Sequence, residues 1–468
     1  MSLIFILFLF VIIVTAVIGF IYYQQEEKPN EVDRLYEEAT ATLNQMKRLN
    51  PEQSYTIILD KADIKVKTAN IKKDDALFDL ALTEFTVATE MEPNDVYGYI
   101  LWANALAGYN IKEEKIKLYR NEALAKVDKI EELALSENNT QTYLVLVEIL
   151  TNIIFNCQGE EETKEWQAQL DGRIIGYCEK VLSIDANNAH AYEYWADALM
   201  RLFYNNDSND SGLIHTAIEK YELSEKSDTQ NASLYQGWAN AILNLYLIDK
   251  EESLIDKFID KYEAAINLND RDSELHFTYA KEVGHAADYC IHNDKAEELY
   301  KLAIKHYDLA YRLDKDNFPV FLYWADTLAK YAELKQDPAL FYEAAKKYKI
   351  ITQHDSIINN SYSTLFIMYA KNLFSAAKLD GSLKKKRKEI EAILLEHYDS
   401  LPGLSGLLLA RLEALTGNEE EVYTWLDKSL AVDSYWSDPS DLENIDEFDS
   451  LRQTYRFKEL VKKHFNDK

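Results

Sequence analysis

The residues best suited to chemistry fall in one stretch, His276, His285, Cys290 and His292. Imidazole and thiolate are the ligands zinc prefers, and the seven-residue step from His285 to His292 would place both on one helix face. The stretch has no paired ligand spacing of the CxxC type. These side chains therefore read as ordinary helix and loop residues, and no metal or other cofactor is expected. The other cysteines, Cys157 and Cys178, stand far apart and bring the total to an odd three, which points to reduced thiols rather than a disulfide framework. Lys384-Lys385-Lys386-Arg387-Lys388 is a basic run that reads most simply as solvated charge in a connection between helices. No phosphate loop, dinucleotide glycine pattern, HExxH or nucleophile elbow is present, so no catalytic residue is assigned and no enzymatic activity is expected. Five glycosylation sequons begin at Asn138, Asn206, Asn209, Asn231 and Asn359, and they matter only if the chain faces a secretory lumen.

With no site to position, the elements themselves carry the information. The chain has 468 residues but only 13 glycines and 7 prolines, a scarcity that favours long helices joined by short connections. Its net charge of −29 repels phosphate backbones, so nucleic acid is not an expected partner. Residues 3–23 read LIFILFLFVIIVTAVIGFIYY without a charge. As a helix that run spans about 31 Å, the thickness of a bilayer core, with Tyr22 and Tyr23 where an aromatic anchor belongs. Its length argues for an uncleaved membrane anchor over a signal peptide. Lys28 and Arg34 follow it and no base precedes it, so the large domain is expected on the cytoplasmic side, although Glu26, Glu27, Glu31 and Asp33 make the flank acidic.

A short motif then recurs, an aromatic, Ala, a polar residue, one further residue and an aliphatic. It reads Trp102-Ala103-Asn104-Ala105-Leu106, Trp195-Ala196-Asp197-Ala198-Leu199 and Trp238-Ala239-Asn240-Ala241-Ile242. It returns at Tyr279, Trp324 and Tyr369, with steps of 43, 41, 45 and 45 residues from Trp195 onward. The 93-residue gap before Trp195 leaves room for a degenerate copy at Leu146–Leu150. Upstream of the motif lies an i, i+4, i+7 helix face whose last residue stands fourteen before the aromatic. Examples are Ala81, Phe85 and Ala88; Ala217, Tyr221 and Ser224; and Ala303, Tyr307 and Ala310. A constant offset implies a fixed turn between two helices. Small Ala residues let the helices approach while the aromatic fills space towards the next unit, so the repeat aromatics are read as core.

On these residues the chain resembles the tetratricopeptide repeat family. The match runs closest from Ala81, Phe85 and Ala88 through Pro93 to Tyr99, Trp102, Ala103 and Leu106. The resemblance implies an all-α, right-handed solenoid of about seven or eight helix hairpins, each an A helix carrying the aromatic motif and a B helix. The repeats here are longer than the 34 residues of the family. The excess is expected between helices A and B, as at 203–212 and 291–295, or in extended helices.

The expected organisation is an anchor at 1–23, a helical lead-in at 24–74 with an amphipathic helix over 31–47, an array at 75–435 and a C-terminal segment at 436–468 read as a closing helix over 438–464. Positions two before and two after the repeat Trp residues are expected to line a partner groove: Ile100 and Asn104, Glu193 and Asp197, Gln236 and Asn240, Leu322 and Asp326. They include no Lys or Arg, so the clamp by which some members of the family hold acidic C-termini is not expected. An apolar or basic peptide or helix is. The implied role is a membrane-anchored interaction scaffold, such as an envelope assembly or quality-control factor. An organelle import receptor is the alternative, and an enzyme on a repeat scaffold the remotest reading.

Overall fold

The computed structural model describes residues 29–49, 54–109, 113–134, 139–156, 164–205, 210–353, 362–432, 442 and 444–465. The expected anchor at 3–23, Cys157 and the sequons at Asn138, Asn206, Asn209 and Asn359 lie outside them. Among the described residues no helix is long and apolar enough to cross a membrane. They form twenty α-helices and no strand, more than the seven or eight hairpins expected would supply. The chain divides into two compact units, Met1–Ile248 and Asp249–Lys468.

Unit 1 opens with α1 (Pro29–Leu49), the expected amphipathic helix, which lays Val32, Leu35, Leu43 and Met46 against Ile57 and Ile64 of α2 (Ser54–Lys72). α3 (Asp75–Met91), α4 (Val96–Gly108), α5 (Glu113–Ala134), α6 (Thr140–Asn156), α7 (Lys164–Ile184), α8 (Ala189–Asn205), α9 (Ser211–Glu225) and α10 (Ala232–Asp249) follow. α2 pairs with α3, α4 with α5, α6 with α7 and α8 with α9. The motif-bearing helices also touch one another, α4 on α6 and α6 on α8, which is how successive hairpins share a core. The additional hairpin, α2–α3, has no aromatic-Ala motif in its first helix, which is why the motif spacing misses it.

Unit 2 holds α11 (Ser253–Leu268), α12 (Ser273–Asp288), α13 (Asn293–Leu313), α14 (Pro319–Lys335), α15 (Pro338–Thr352), α16 (Tyr362–Leu379), α17 (Leu383–Glu396), α18 (Pro402–Thr416), α19 (Glu419–Leu430) and α20 (Tyr455–Phe465). Here α12 pairs with α13, α14 with α15, α16 with α17 and α18 with α19. Aspartates start several helices in both units. Asp95 accepts from Tyr97 N at 3.0 Å, and Asp272 accepts from Glu274 N and Leu275 N at 3.0 and 3.1 Å.

One expectation is narrowed and two need correction. Of the two places expected for the extra length of the repeat, the helices hold much of it, since α5, α7 and α13 run to 22, 21 and 21 residues. The link from α14 to α15 is only Gln336-Asp337, where Gln336 takes a left-handed φ of 51° to end the helix abruptly. The basic run 384–388 lies in the first turns of α17 rather than in a connection, because Lys and Arg are good helix formers. There Arg387 grips Glu413 with Nη2 at 2.8 and 3.0 Å, and Lys386 reaches Glu389 at 2.7 Å. The closing helix is shorter than the stretch 438–464. A 3₁₀ turn spans Asp446–Phe448, and Thr454 then accepts from Phe457 N at 3.2 Å to start α20.

Candidate functional site

The repeat aromatics are packed inside the units. Tyr279 is fully buried, Trp102, Trp238, Trp324 and Tyr369 nearly so, and Trp195 is half-buried. The B-helix faces are buried with them, including Phe85, Tyr221, Phe258, Tyr262 and Tyr307. With the aromatic turned inward, residues two places away on either side turn roughly 160° from it, towards the outer side of the A helix.

The expected groove residues divide into two groups. Ile100, Asn104, Gln236, Asn240 and Leu322 are half-buried. The carboxylates, in contrast, are held by the chain itself. Glu193 is buried and accepts from Asn231 Nδ2 at 2.7 Å and Ser233 Oγ at 2.6 Å, tying α8 to the start of α10. Asp197 accepts from the Tyr221 hydroxyl of α9 at 2.5 Å. Gly237 makes room for that bond, since a Cβ there would lie 2.7 Å from the Tyr221 hydroxyl and 3.2 Å from Asp197 Oδ1. Burial pushes Asp197 up to about 6, against the opposing bond from Tyr221. In unit 2 the Tyr348 hydroxyl donates to Asp326, whose carboxyl is raised by the desolvation on that side although the residue is exposed.

The sequence carries a partial signal for these bonds. Asp197 and Asp326, each two residues after a repeat Trp, are followed in the next helix by Lys220-Tyr221 and Lys347-Tyr348, whereas before Lys261-Tyr262 the same position is Asn240. The tyrosine satisfies the aspartate, and the lysine covers the indole. Lys220 Nζ lies 4.0 Å from the centre of a Trp195 ring, and Lys347 Nζ lies 3.2 Å from Trp324. After Asn104 the next helix carries Lys126-Val127; Lys126 covers Trp102 at 3.4 Å, and Val127 has no hydroxyl to donate. Other tyrosines bond carboxylates between helices in the same way. Tyr119 donates to Asp79 at 2.6 Å, Tyr177 to Glu131 at 3.0 Å and Tyr300 to Asp288 at 2.8 Å, which gives many of the 32 tyrosines a structural purpose.

The histidine stretch does not converge on a metal site. His276 is buried and meets His306, His285 packs edge-on against Tyr289 at 5.2 Å, and His292 pairs with Glu252 at 2.7 Å. Among the described residues no group of three or more His, Cys, Asp or Glu is placed to hold a metal ion. Cys178 is buried, and burial pushes its thiol up to about 12, so it is inert. A more open polar cleft of about 650 Å³ lies between α19 and α20, lined by Tyr423, Asp427, Lys428, Arg456, Leu460 and Lys463 among others. Its charges are engaged locally, with Arg456 on Glu420 at 2.6 Å and Lys463 on Asp427 at 2.8 Å.

No family model and no curated protein matches the chain. Solved structures do. YrrB, described as a TPR protein with an unusual peptide-binding site, aligns at 16% identity over 50% of this chain and 95% of its own, with a TM-score of 0.30. The human IFIT1 dimer with m7Gppp-AAAA aligns at 13% identity over 86% and 88%, with a TM-score of 0.39. Yeast Tom70 aligns at 12% identity over 94% and 99%, with a TM-score of 0.27. Identities and scores at this level assign no ligand or role to this chain.

Proposed function

We propose that this chain is a protein-interaction scaffold, held at a membrane by residues 3–23 with its helical units on the cytoplasmic side. The tether rests on the uncharged run 3–23, and the partner on one observation. Outer positions of the motif helices present half-buried apolar and amide side chains (Ile100, Asn104, Gln236 and Leu322), while the carboxylates beside them are engaged within the chain. A partner meeting these helices finds apolar area and amide hydrogen bonds, with Asp326 the one exposed carboxylate among these positions. That favours the apolar face of an amphipathic helix or peptide over a basic segment. Tethering would then raise the local concentration of the partner at the bilayer.

Proximity labelling in cells, with and without residues 1–23 and with Ile100→Asp or Leu322→Asp in the full chain, tests both halves of the proposal. Loss of the same labelled partners on removing the segment and on either substitution is the expected result, with helical content by circular dichroism unchanged. An unchanged partner set in all variants would remove the reading. Protease accessibility in sealed membranes tests the orientation, with digestion from the cytoplasmic side expected.

A further inference from the structure

His276 on α12 and His306 on α13 are both buried, and their Nδ1 atoms lie 2.9 Å apart. The other nitrogen of His276, Nε2, lies 3.1 Å from the carbonyl oxygen of Asp270. A carbonyl only accepts, so Nε2 carries a proton, and a neutral His276 then has a bare Nδ1. His306 must therefore donate from its own Nδ1, and a single proton bridges the two rings. The Tyr279 ring closes edge-on against His306 with centres 4.6 Å apart, and Tyr262 of α11 stacks on Tyr279 at 4.8 Å. This places the contact inside the hairpin, among aromatic rings.

Such a contact accepts only one bridging proton. A further proton on His306 Nε2 puts an uncompensated charge in the core. One on His276 Nδ1 either meets the His306 N–H head to head at 2.9 Å or drives that proton to His306 Nε2, leaving an imidazolium charge inside the hairpin. We propose that the His276–His306 contact is an acid-sensitive latch, holding the α12–α13 hairpin closed while one proton bridges the rings and loosening it when the pair takes up more.

The groups around the pair favour release over rescue. The charges acting on His306 are His276 and Lys305, both positive when ionised. Asp270 meets His276 through its backbone carbonyl, and Asp260 and Glu263 of α11 act on Tyr279. Burial first, then His276 and Lys305, lower His306 to about 4. Neither histidine has been assigned a role by the repeat pattern, and the latch holds or fails independently of what the scaffold binds.

Histidine imidazole NMR titration of the full chain in detergent, combined with hydrogen exchange of peptides from 273–313, tests the latch. His306 is expected to stay neutral until the pH falls below 5. The opening constant of α12–α13, corrected for intrinsic exchange, is expected to rise about tenfold per pH unit between about 6.5 and 4, with no such rise in α14–α15. His306→Leu is expected to abolish that dependence. Two rings titrating independently in the ordinary range, or pH-invariant opening of α12–α13, would overturn the latch. So would an unchanged dependence in His306→Leu. If that variant does not fold, the titration of the native chain decides alone.

Discussion

Asp171 in unit 1 and Glu447 in unit 2 are both buried carboxylates, yet their environments move them in opposite directions. Asp171 is 0% exposed and accepts one strong bond, from Arg201 Nε at 2.7 Å, while its second oxygen has no hydrogen-bond partner among the described residues. Burial dominates there and raises its pKa above the usual carboxylate range, against Arg201. Glu447 is held by two cations. Arg411 reaches both oxygens at 2.9 and 3.2 Å, and Lys378 adds a bond at 2.8 Å. Burial pushes Glu447 up as well, but the bonds from Arg411 and Lys378 outweigh it and hold the carboxyl below its usual range. The comparison shows that burial does not fix the sign of the shift. The balance between burial and the cations and hydrogen bonds on the carboxylate does.

The largest effect follows from that difference. Arg201→Met leaves Asp171 buried without its cation and is expected to cost about 3–5 kcal/mol in urea unfolding. Arg411→Met leaves Lys378 on Glu447, so the loss is expected to be nearer 1–2 kcal/mol, the scale of lost charged hydrogen bonds. Adding Asp171→Leu to Arg201→Met should recover much of the first loss. Equal costs for the two arginines would break the comparison.

Acid sharpens it, with opposite signs on the two sides. Asp171 and Asp197 have raised folded values, so the folded state holds their protons more tightly than the unfolded chain does. That stabilisation is full below an unfolded value of about 3.9 and lost as the pH rises through the folded value, about 6 for Asp197. Glu447 contributes above an unfolded value of about 4.3, and its contribution is lost as the pH falls through its depressed folded value. Asp197→Asn, which keeps an acceptor for Tyr221, should therefore stabilise the chain by roughly 2 kcal/mol at pH 7 and by little at pH 4. Glu447→Gln should destabilise it at pH 7, with the gap closing below pH 4. Urea unfolding at the two pH values distinguishes these outcomes.

The helical hairpins were legible in the sequence because Ala and aromatic spacing within a helix, and a constant offset between helices, are local properties. Ala81, Phe85 and Ala88 announce α3, and Trp102 announces α4, without reference to anything distant. The partners of the polar groups were not legible in the same way. Glu193 is satisfied by Asn231 and Ser233, nearly forty residues on, and His276 by His306, thirty residues on in the next helix. Grouping histidines by closeness in sequence joined His276 to His285 and His292, which turn to Tyr289 and Glu252 instead. The groove positions were identified by their angle from Trp, and angle alone does not say which acids a tyrosine from the next helix will reach. Asp197 and Asp326 became readable only when paired with the Lys-Tyr that follows each.

The smallest effect concerns the lysines of those dipeptides and their analogue in α5. Lys126 in unit 1 lies over Trp102 at 3.4 Å, whereas Lys347 in unit 2 lies 3.2 Å from Trp324 and 5.3 Å from Phe321. An ammonium over an aromatic face is drawn by the ring quadrupole, and the pull grows with desolvation and with a second ring. Methionine keeps most of the aliphatic stem on the indole, so Lys→Met removes the charge with little loss of packing. Burial lowers both ammonium groups, Lys347 to about 8, so desolvation opposes the ring attraction. Lys126→Met is expected to shift stability by no more than about 0.5 kcal/mol, and Lys347→Met to raise it by about 1 kcal/mol at pH 7, measured by thermal unfolding. A loss of stability in Lys347→Met would show instead that the two rings outweigh burial.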